Sequence, residues 1–385
     1  MKTIRFISCF LLLSVLASCR FISEERDRQA DESSRFEIGK GINISHWLSQ
    51  VTPWMKRDTF ITRTDIQQIA SFGFDHIRIP IDEAELWDES GKPVEEAFSY
   101  LKQCLDWCRE YKLRAIVDLH ILRSHHFNAG NNEGKITLWN DTVAQMNFIG
   151  LWDDISVQLK HYPVDMLAYE LLNEPVADDP EDWNKLIART VVSIRKTEPR
   201  RILIIGSNMW QTAKNFPYLK VPEGDTNIIL SVHTYDPMPV THYKASWTAL
   251  KDYDGPVRYP GISIAEEDVE KYTTEGSLTR NAIYEFNRNY NAGEFEEILR
   301  PAIEKAKFLK LRLYCGEFGC LPTPPREIRL AYYRDITSVF EKYDISYAAW
   351  DYKGDFAIVP YDRKAAVNLN PDMELINILL RTKNE

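Results

Sequence analysis

The sequence predicts an α/β fold, a closed (β/α)8 barrel in a single domain, and three observations carry that prediction. Eight short apolar segments alternate with stretches of helical periodicity across about 350 residues, and such alternation demands a parallel sheet. Polar residues follow seven of these segments, which suits a barrel mouth better than the one switch point of an open sheet. No GxGxxG or Walker-type phosphate loop follows the first segment, and no second linker rich in Pro, Ser or Gly divides residues 36–385.

Phe36–Ile44 reads as the first strand, with Ser45-His46-Trp47 at its end. Thr62 and Asp65 fit a capping box ahead of a helix that stops at Gly73. Phe74–Pro80 is the second strand and carries Arg78 to its outlet. Phe98, Leu101, Leu105 and Cys108 recur at helical spacing between Val94 and Tyr111, and Arg114–His120 follows as a strand ending in Asp118-Leu119-His120. A helix over roughly Thr142–Lys160 precedes Leu167–Leu172, an apolar run typical of a strand buried on both faces. That run leads into Asn173-Glu174-Pro175. Pro175 has no N–H and keeps Glu174 out of the right-handed helical region, so the chain turns into a loop there.

Trp183–Thr197 is the next helix, and Ile202–Ile205 and Ile228–Val232 are strands, the second ending at His233-Thr234-Tyr235. Asp236–Leu311 is a long excursion holding Tyr243, Trp247, Tyr253 and Tyr259 before a helix resumes near Glu294. A short strand from Leu311 then brings Glu317 to its end between Gly316 and Gly319. Arg326–Tyr343 is helical, Ser346–Trp350 is the last strand, and Pro371–Arg381 closes the chain with a helix.

Residues 1–18 read as a leader. Lys2 and Arg5 precede the apolar stretch Phe6–Leu16, which is too short to span a bilayer. Leu16-Ala17-Ser18-Cys19 resembles the bacterial lipobox, which implies cleavage before Cys19 and lipidation of that cysteine; a plain secretory signal is the alternative. An outer-membrane or cell-surface lipoprotein is therefore expected, with a periplasmic one as the alternative. Residues 19–35 are polar and charged and read as a flexible tether. Cleavage removes Lys2 and Arg5 and no acid, taking the formal charge from −10 to −12. This acidity, with no run of Lys and Arg, disfavours nucleic acid as a partner. Membrane contact is expected through the lipid anchor only, and a monomer is expected.

Four cysteines follow Cys19: Cys104 and Cys108, four apart on a predicted helix, and Cys315 and Cys320, which flank Glu317. No zinc-type spacing and no HExxH occurs, so they read as small buried apolar residues, with a disulfide in either pair left open. No metal and no cofactor is expected. The 10 Trp and 19 Tyr supply flat apolar faces with polar edges, on which sugars stack.

Glu174 and Glu317, 143 residues apart, leave room for three βα units between them, a spacing that suits two positions facing each other across a barrel mouth. Glycosidic bond cleavage needs such a pair, one carboxyl protonating the leaving oxygen while the other attacks the anomeric carbon or activates water. Arg78 is placed to keep one of them ionised. His120, His233 and Tyr235 offer hydrogen bonds, and Trp350 offers a stacking face.

The set Arg78, His120, Asn173-Glu174, His233-x-Tyr235, Glu317 and Trp350, each at its own strand end and in this order, resembles family 5 of the glycoside hydrolases, the retaining cellulase and mannanase family. The match runs from about Phe36 to the C-terminus and implies the TIM-barrel fold. By that resemblance Glu174 is the acid/base and Glu317 the nucleophile. Asn173 would bind the sugar 2-hydroxyl, Tyr235 and Arg78 would orient the nucleophile, and His120, His233 and Trp350 would line the cleaved sugar's subsite. The implied partner is a β-linked polysaccharide or oligosaccharide, cleaved by endo-β-1,4-glucanase action. Exo-acting β-1,3-glucanase, β-glucosidase and endo-β-mannanase activities on the same scaffold are the alternatives.

His120 runs into Ile-Leu-Arg-Ser-His125-His126, where many members carry a paired histidine or a Pro-Gly. The loops Ile121–Trp139 and Asp236–Gly293 match no known specificity, so sugar and linkage stay open. Tyr243, Trp247 and Tyr259 are expected to touch distal sugar units, because their excursion is too long for a mere connector. The other function class is a surface glycan-binding lipoprotein without turnover. A dead relative would be expected to have lost a carboxylate, and both are present.

Overall fold

Eight parallel strands close on themselves in sequence order: β1 (Lys40–Asn43), β2 (His76–Asp82), β3 (Arg114–Ile121), β4 (Leu167–Glu170), β5 (Ile202–Gly206), β6 (Ile228–His233), β7 (Arg312–Glu317) and β8 (Ser346–Ala349). The ring shuts where β1 pairs with β8, Gly41 opposite Ala348, and with β2, Ile42 opposite Ile77. All seven residues of β2 are buried, as a strand packed on both faces requires. The computed structural model describes residues 35–127 and 135–381. Cys19, the leader, nearly all of the tether and part of the loop after β3 lie outside the described residues. The chain divides into two units, Met1–Glu37 and Ile38–Glu385, and the second holds every element named here.

The outer layer comprises α1 (Arg63–Phe72), α2 (Glu95–Glu110), α3 (Thr142–Leu159), α4 (Pro180–Thr197), α5 (Ala292–Leu309), α6 (Arg326–Tyr343) and α7 (Met373–Leu380). Their ends follow local chemistry. The expected capping box opens α1, with Asp65 accepting from the Thr62 N–H at 2.8 Å. α4 starts three residues before the predicted Trp183, because Asp179 caps it and Pro180 sits in its first turn. Asn291 caps α5, accepting from the N–H groups of Gly293 and Glu294.

Three differences from the sequence reading bear on function. First, β4 ends at Glu170 rather than Leu172. Beyond it single bonds alternate between neighbours, Leu171 N–H to Ile204 and Asn173 N–H to Leu119, so the backbone is held without a regular ladder. Second, no α-helix joins β5 to β6. A 3-10 turn, Ala213–Tyr218, interrupted by Pro217, packs against α5 instead. Third, the long excursion has structure of its own: three short helices, Met238–Thr241, Glu266–Tyr272 and Leu278–Phe286, and a ribbon of Gly261–Ile262 with Asn289–Tyr290.

That last difference corrects part of the expectation for distal sugar contacts. Tyr259 is buried, stacks on Phe295 and donates to Asp335 at 2.8 Å, while Tyr243 is half-buried and donates to the Gly255 carbonyl. Both hydroxyls are committed to the protein, so these residues pack. Cys104, Cys108, Cys315 and Cys320 are free buried thiols. Among the described residues no helix is long and apolar enough to cross a membrane.

Candidate active site

Arg78 of β2 is completely buried at the centre of the barrel mouth and uses its whole fork. Nε donates to Glu170 at 2.7 Å, Nη1 to Glu317 at 2.7 Å and to Asn43 at 3.0 Å, and Nη2 to Asn173 at 2.9 Å. Asp118 lies 3.0 Å from Nη2. One guanidinium thus holds three carboxylates from β3, β4 and β7. The rigid planar fork that makes this geometry available belongs to arginine and not to lysine.

Glu317, at the end of β7, also accepts from the Tyr235 hydroxyl at 2.8 Å. Burial pushes its carboxyl up, and Arg78 and the Tyr235 hydroxyl pull against that. Two charge-assisted bonds aimed at its two oxygens favour the ionised form. Glu174 lies four residues past β4 with φ of 45°, in the left-handed region. Its N–H donates to Gln211 at 2.9 Å. Burial, and then the charge of Glu317, hold the Glu174 carboxyl well above the usual carboxylate range. The two glutamates therefore differ in their surroundings as an acid and an anion must.

His233 stands between them. Its Nδ1 is 2.9 Å from Glu174 and 3.9 Å from Glu317. Burial, with the neighbouring Arg78 and His120, holds it well below its usual pKa. A neutral imidazole accepts at Nδ1 the proton that Glu174 retains. Gly316 makes room for this ring: a Cβ there would lie 2.8 Å from Nε2. His120 pairs through Nδ1 with Asp118 at 2.7 Å, and its ring stacks on Trp350 with 5.7 Å between centroids and 8° between planes. Burial raises the Asp118 pKa to about 7, with Arg78 opposing. Trp350 is itself buried among Ala245, Leu321 and Phe356, with Tyr235 against them.

All eight residues proposed from the sequence therefore converge on one mouth. Among the described residues, one group of three has the span of a metal site, and it is Glu174, His233 and Glu317, within 4.8 Å of one another. Their oxygens and ring nitrogen are already engaged with one another, Arg78 and Tyr235. Asn173 Nδ2 is buried without a protein partner, a donor that a substrate hydroxyl would satisfy.

Asn43, Asp118, Glu170 and Gln211 went unassigned in the sequence. A glutamate inside a strand buried on both faces was the available signal for Glu170, since a buried charge must be paired. Gln211 gave none. It reaches Glu170 at 3.1 Å and the Glu174 N–H from a turn in which Met209, Trp210 and Gln211 all have φ between 53° and 60°. The same turn leaves Trp210 45% exposed, its N–H bonded to the Pro175 carbonyl and its indole N–H to the Phe127 carbonyl. Trp247 is 39% exposed and meets His242, which in turn packs against Tyr235.

A TIM barrel with two buried glutamates at the exits of β4 and β7, one held well above the usual carboxylate range and the other bonded through both oxygens to an arginine and a tyrosine, defines a glycosidase that hydrolyses O-glycosyl compounds. The chain belongs to glycosyl hydrolase family 5, the cellulase family, whose model matches residues 34–355. It is 36% identical over 356 residues to endoglucanase C of Acetivibrio thermocellus, covering 89% of this chain and 98% of the relative. It is 32% identical over 312 residues to cellodextrinase A of Ruminococcus flavefaciens, covering 80% of this chain and 84% of the relative. The barrel is also that of the cellulose synthase subunit Z from Clostridioides difficile, with a TM-score of 0.70 at 21% identity over 90% of this chain and all of that one.

Proposed function

We propose that this glycosidase is an endo-β-1,4-glucanase acting by retaining double displacement, with Glu174 as acid/base and Glu317 as nucleophile. The observation that supports the mechanism is that one oxygen of each carboxyl lies within 4.8 Å of the other. Retaining enzymes hold the pair about 5–5.5 Å apart, whereas inverting ones need about 6.5–9.5 Å to seat a water between carboxyl and sugar. The names of the relatives, an endoglucanase and a cellodextrinase, support the substrate class.

In the first step Glu317 attacks the anomeric carbon while Glu174 gives its proton to the departing oxygen. In the second, Glu174, now a base, takes a proton from water, which displaces Glu317. Arg78 and Tyr235 hold the attacking carboxylate in line and ionised, and Asn173 Nδ2 is the donor for the 2-hydroxyl. His120 and Trp350 form the wall against which the cleaved sugar rests. The test is the anomer first released from a cellooligosaccharide, read by proton NMR, together with products from barley β-glucan, carboxymethylcellulose and mannan. A β-anomer, and internal cuts in the first two polymers, are expected; an α-anomer, or mannan as the preferred polymer, would overturn the reading.

We infer further, from Leu16-Ala17-Ser18-Cys19 and the polar residues after it, that the chain is exported and anchored through a lipid on Cys19. Cys19→Ser should leave the leader uncleaved or release the protein from the membrane fraction. Unchanged processing and attachment would remove the anchor from the account.

A further inference from the structure

We propose that His46 and Asp355 clamp a pair of neighbouring hydroxyls on the sugar unit one place beyond the cleaved residue, on the non-reducing side. The proposal rests on the assignment of Glu174 as the acid, because that assignment fixes the direction of the substrate.

In a ring of eight strands β4 faces β8 and β5 faces β1. Glu174 follows β4 and protonates the leaving oxygen, so the leaving part of the glycan passes over the β4 and β5 side, where Trp210 is exposed. The retained part therefore runs toward the exits of β8 and β1. Trp350 directly follows β8, and on the exit of the neighbouring β1 stands His46.

His46 is a non-glycine residue at φ 55°, a left-handed conformation that costs about 1–2 kcal/mol. What holds it is a polar cluster linking the two strand exits. The Ser45 hydroxyl donates to Asp351, the residue after Trp350, and lies 2.7 Å from His46 Nδ1. Gly354 leaves room for this cluster, since a Cβ there would lie less than 3 Å from Asp351, Ser45 and His46 alike.

The bonding sets the tautomer through Asp351. With Asp351 ionised, Ser45 gives its one hydroxyl hydrogen to that carboxylate, and Nδ1 of His46 then donates while Nε2 presents a lone pair; burial raises the Asp351 pKa to about 7, so this arrangement belongs to the pH range above it. Burial lowers the His46 pKa against the pull of Asp355, which keeps the ring neutral near pH 7; Arg363 and His120 act in the same direction as burial. Nε2 stands 4.0 Å from Oδ2 of Asp355, beyond hydrogen-bonding distance. Asp355 gives its other oxygen, Oδ1, to Arg363 at 2.6 Å, and Arg363 lies over the Trp54 ring at 4.5 Å. Two acceptors thus face each other across a gap, on side chains 14% and 36% exposed. Two hydroxyl groups donating in parallel, as on adjacent carbons of a hexopyranose, match them. One hydroxyl, or a cationic ligand needing a tighter shell, does not.

The experiment compares 2,4-dinitrophenyl β-glucoside, which fills only the cleaved-sugar site, with 2,4-dinitrophenyl β-cellobioside, which also fills the next. His46→Gly keeps the left-handed backbone, and Asp355→Ala changes a side chain that is partly exposed. In each variant the ratio of kcat/KM for the cellobioside to that for the glucoside should fall at least about tenfold, the effect of one lost hydrogen bond to a charged or well-oriented group. The double variant should lose less than the product of the two. A ratio that stays at the wild-type value in both variants would overturn the clamp. Failure of the underlying reading looks different: a wild-type protein that turns over neither glycoside removes the β-glucanase assignment and the clamp together.

Discussion

Arg78 and Glu317 meet at 2.7 Å with the guanidinium wholly removed from water, and the same guanidinium holds Glu170 at 2.7 Å and Asp118 at 3.0 Å. A buried arginine that pairs three carboxylates is both the reason the mouth can be charged and its point of greatest sensitivity. Removing one partner of a buried pair typically costs about 3–5 kcal/mol, because the other charge is stranded.

Arg78→Ala should therefore lose about 3–5 kcal/mol of stability near pH 7.5 along with turnover. The sign of its pH dependence is fixed. The stranded carboxylates have folded-state pKa values above their unfolded ones, Asp118 already at about 7 in the intact protein. They bind protons more readily when folded, so the deficit should shrink as pH falls from 7.5 toward 5. Urea denaturation at the two pH values checks this, and a deficit that grows on acidification would contradict it.

A second prediction follows from the Glu174 proton. Glu174 must be protonated for the leaving oxygen to depart, and burial with the Glu317 charge keeps its pKa well above the carboxylate range. Activity on a natural glucan should accordingly persist well above the pH at which an ordinary glutamate ionises, and fall on the alkaline side as Glu174 deprotonates. In Glu317→Gln the negative neighbour is gone, so the Glu174 pKa should drop. Carbon-13 NMR of labelled glutamate carboxyls reads this directly; an unmoved titration would mean that burial alone sets the value.

The exposed indoles give a third. Trp247 and Trp210 stand 39% and 45% exposed, whereas Tyr243 and Tyr259 are tied into the protein. Alanine at either tryptophan should weaken polymer hydrolysis about tenfold or more, on the scale of about 1–2 kcal/mol for a lost stacking contact, and hydrolysis of an aryl glucoside much less. Tyr259→Phe should instead lower thermal stability with little change in the ratio of the two activities.

The barrel was legible because each strand is a short apolar run and each helix has a clear period, and because caps such as Thr62 and Asp65 are local. Arg78, Glu174 and Glu317 stood out as charges ending apolar runs. Gln211 was not legible, since its approach depends on three successive left-handed residues that no local pattern announces. Glu170 has no local mark beyond its place in an apolar run, and only the burial of β4 on both faces makes its charge demand a partner. The length of the insertion after β6 suggests contact with distal sugars, but length does not tell which aromatics face out: Tyr259 and Tyr243 are tied into the insertion's own packing, while Trp247 stays exposed.

The last prediction separates the two glutamates by the chemistry each must perform. Glu317 is held by Arg78 and Tyr235 through bonds to both oxygens, so it is fixed for attack, while Glu174 shares a proton with His233. Without the attacking carboxylate no glycosyl-enzyme can form, so Glu317→Ala should abolish turnover of every substrate. Glu174→Ala should cost far less on a dinitrophenyl glycoside, whose leaving group departs with little protonation, than on a natural glucan. Hydrolysis of the intermediate should then limit the rate, because the base that activates water is also missing, and a burst of dinitrophenol should precede a slow steady state. Added azide needs no base and should speed that second step, yielding a β-glycosyl azide. A 2-fluoro glycoside with a good leaving group should label Glu317 in the parent enzyme. Label on Glu174, or azide product of the α-configuration, would exchange the two roles or replace the retaining mechanism.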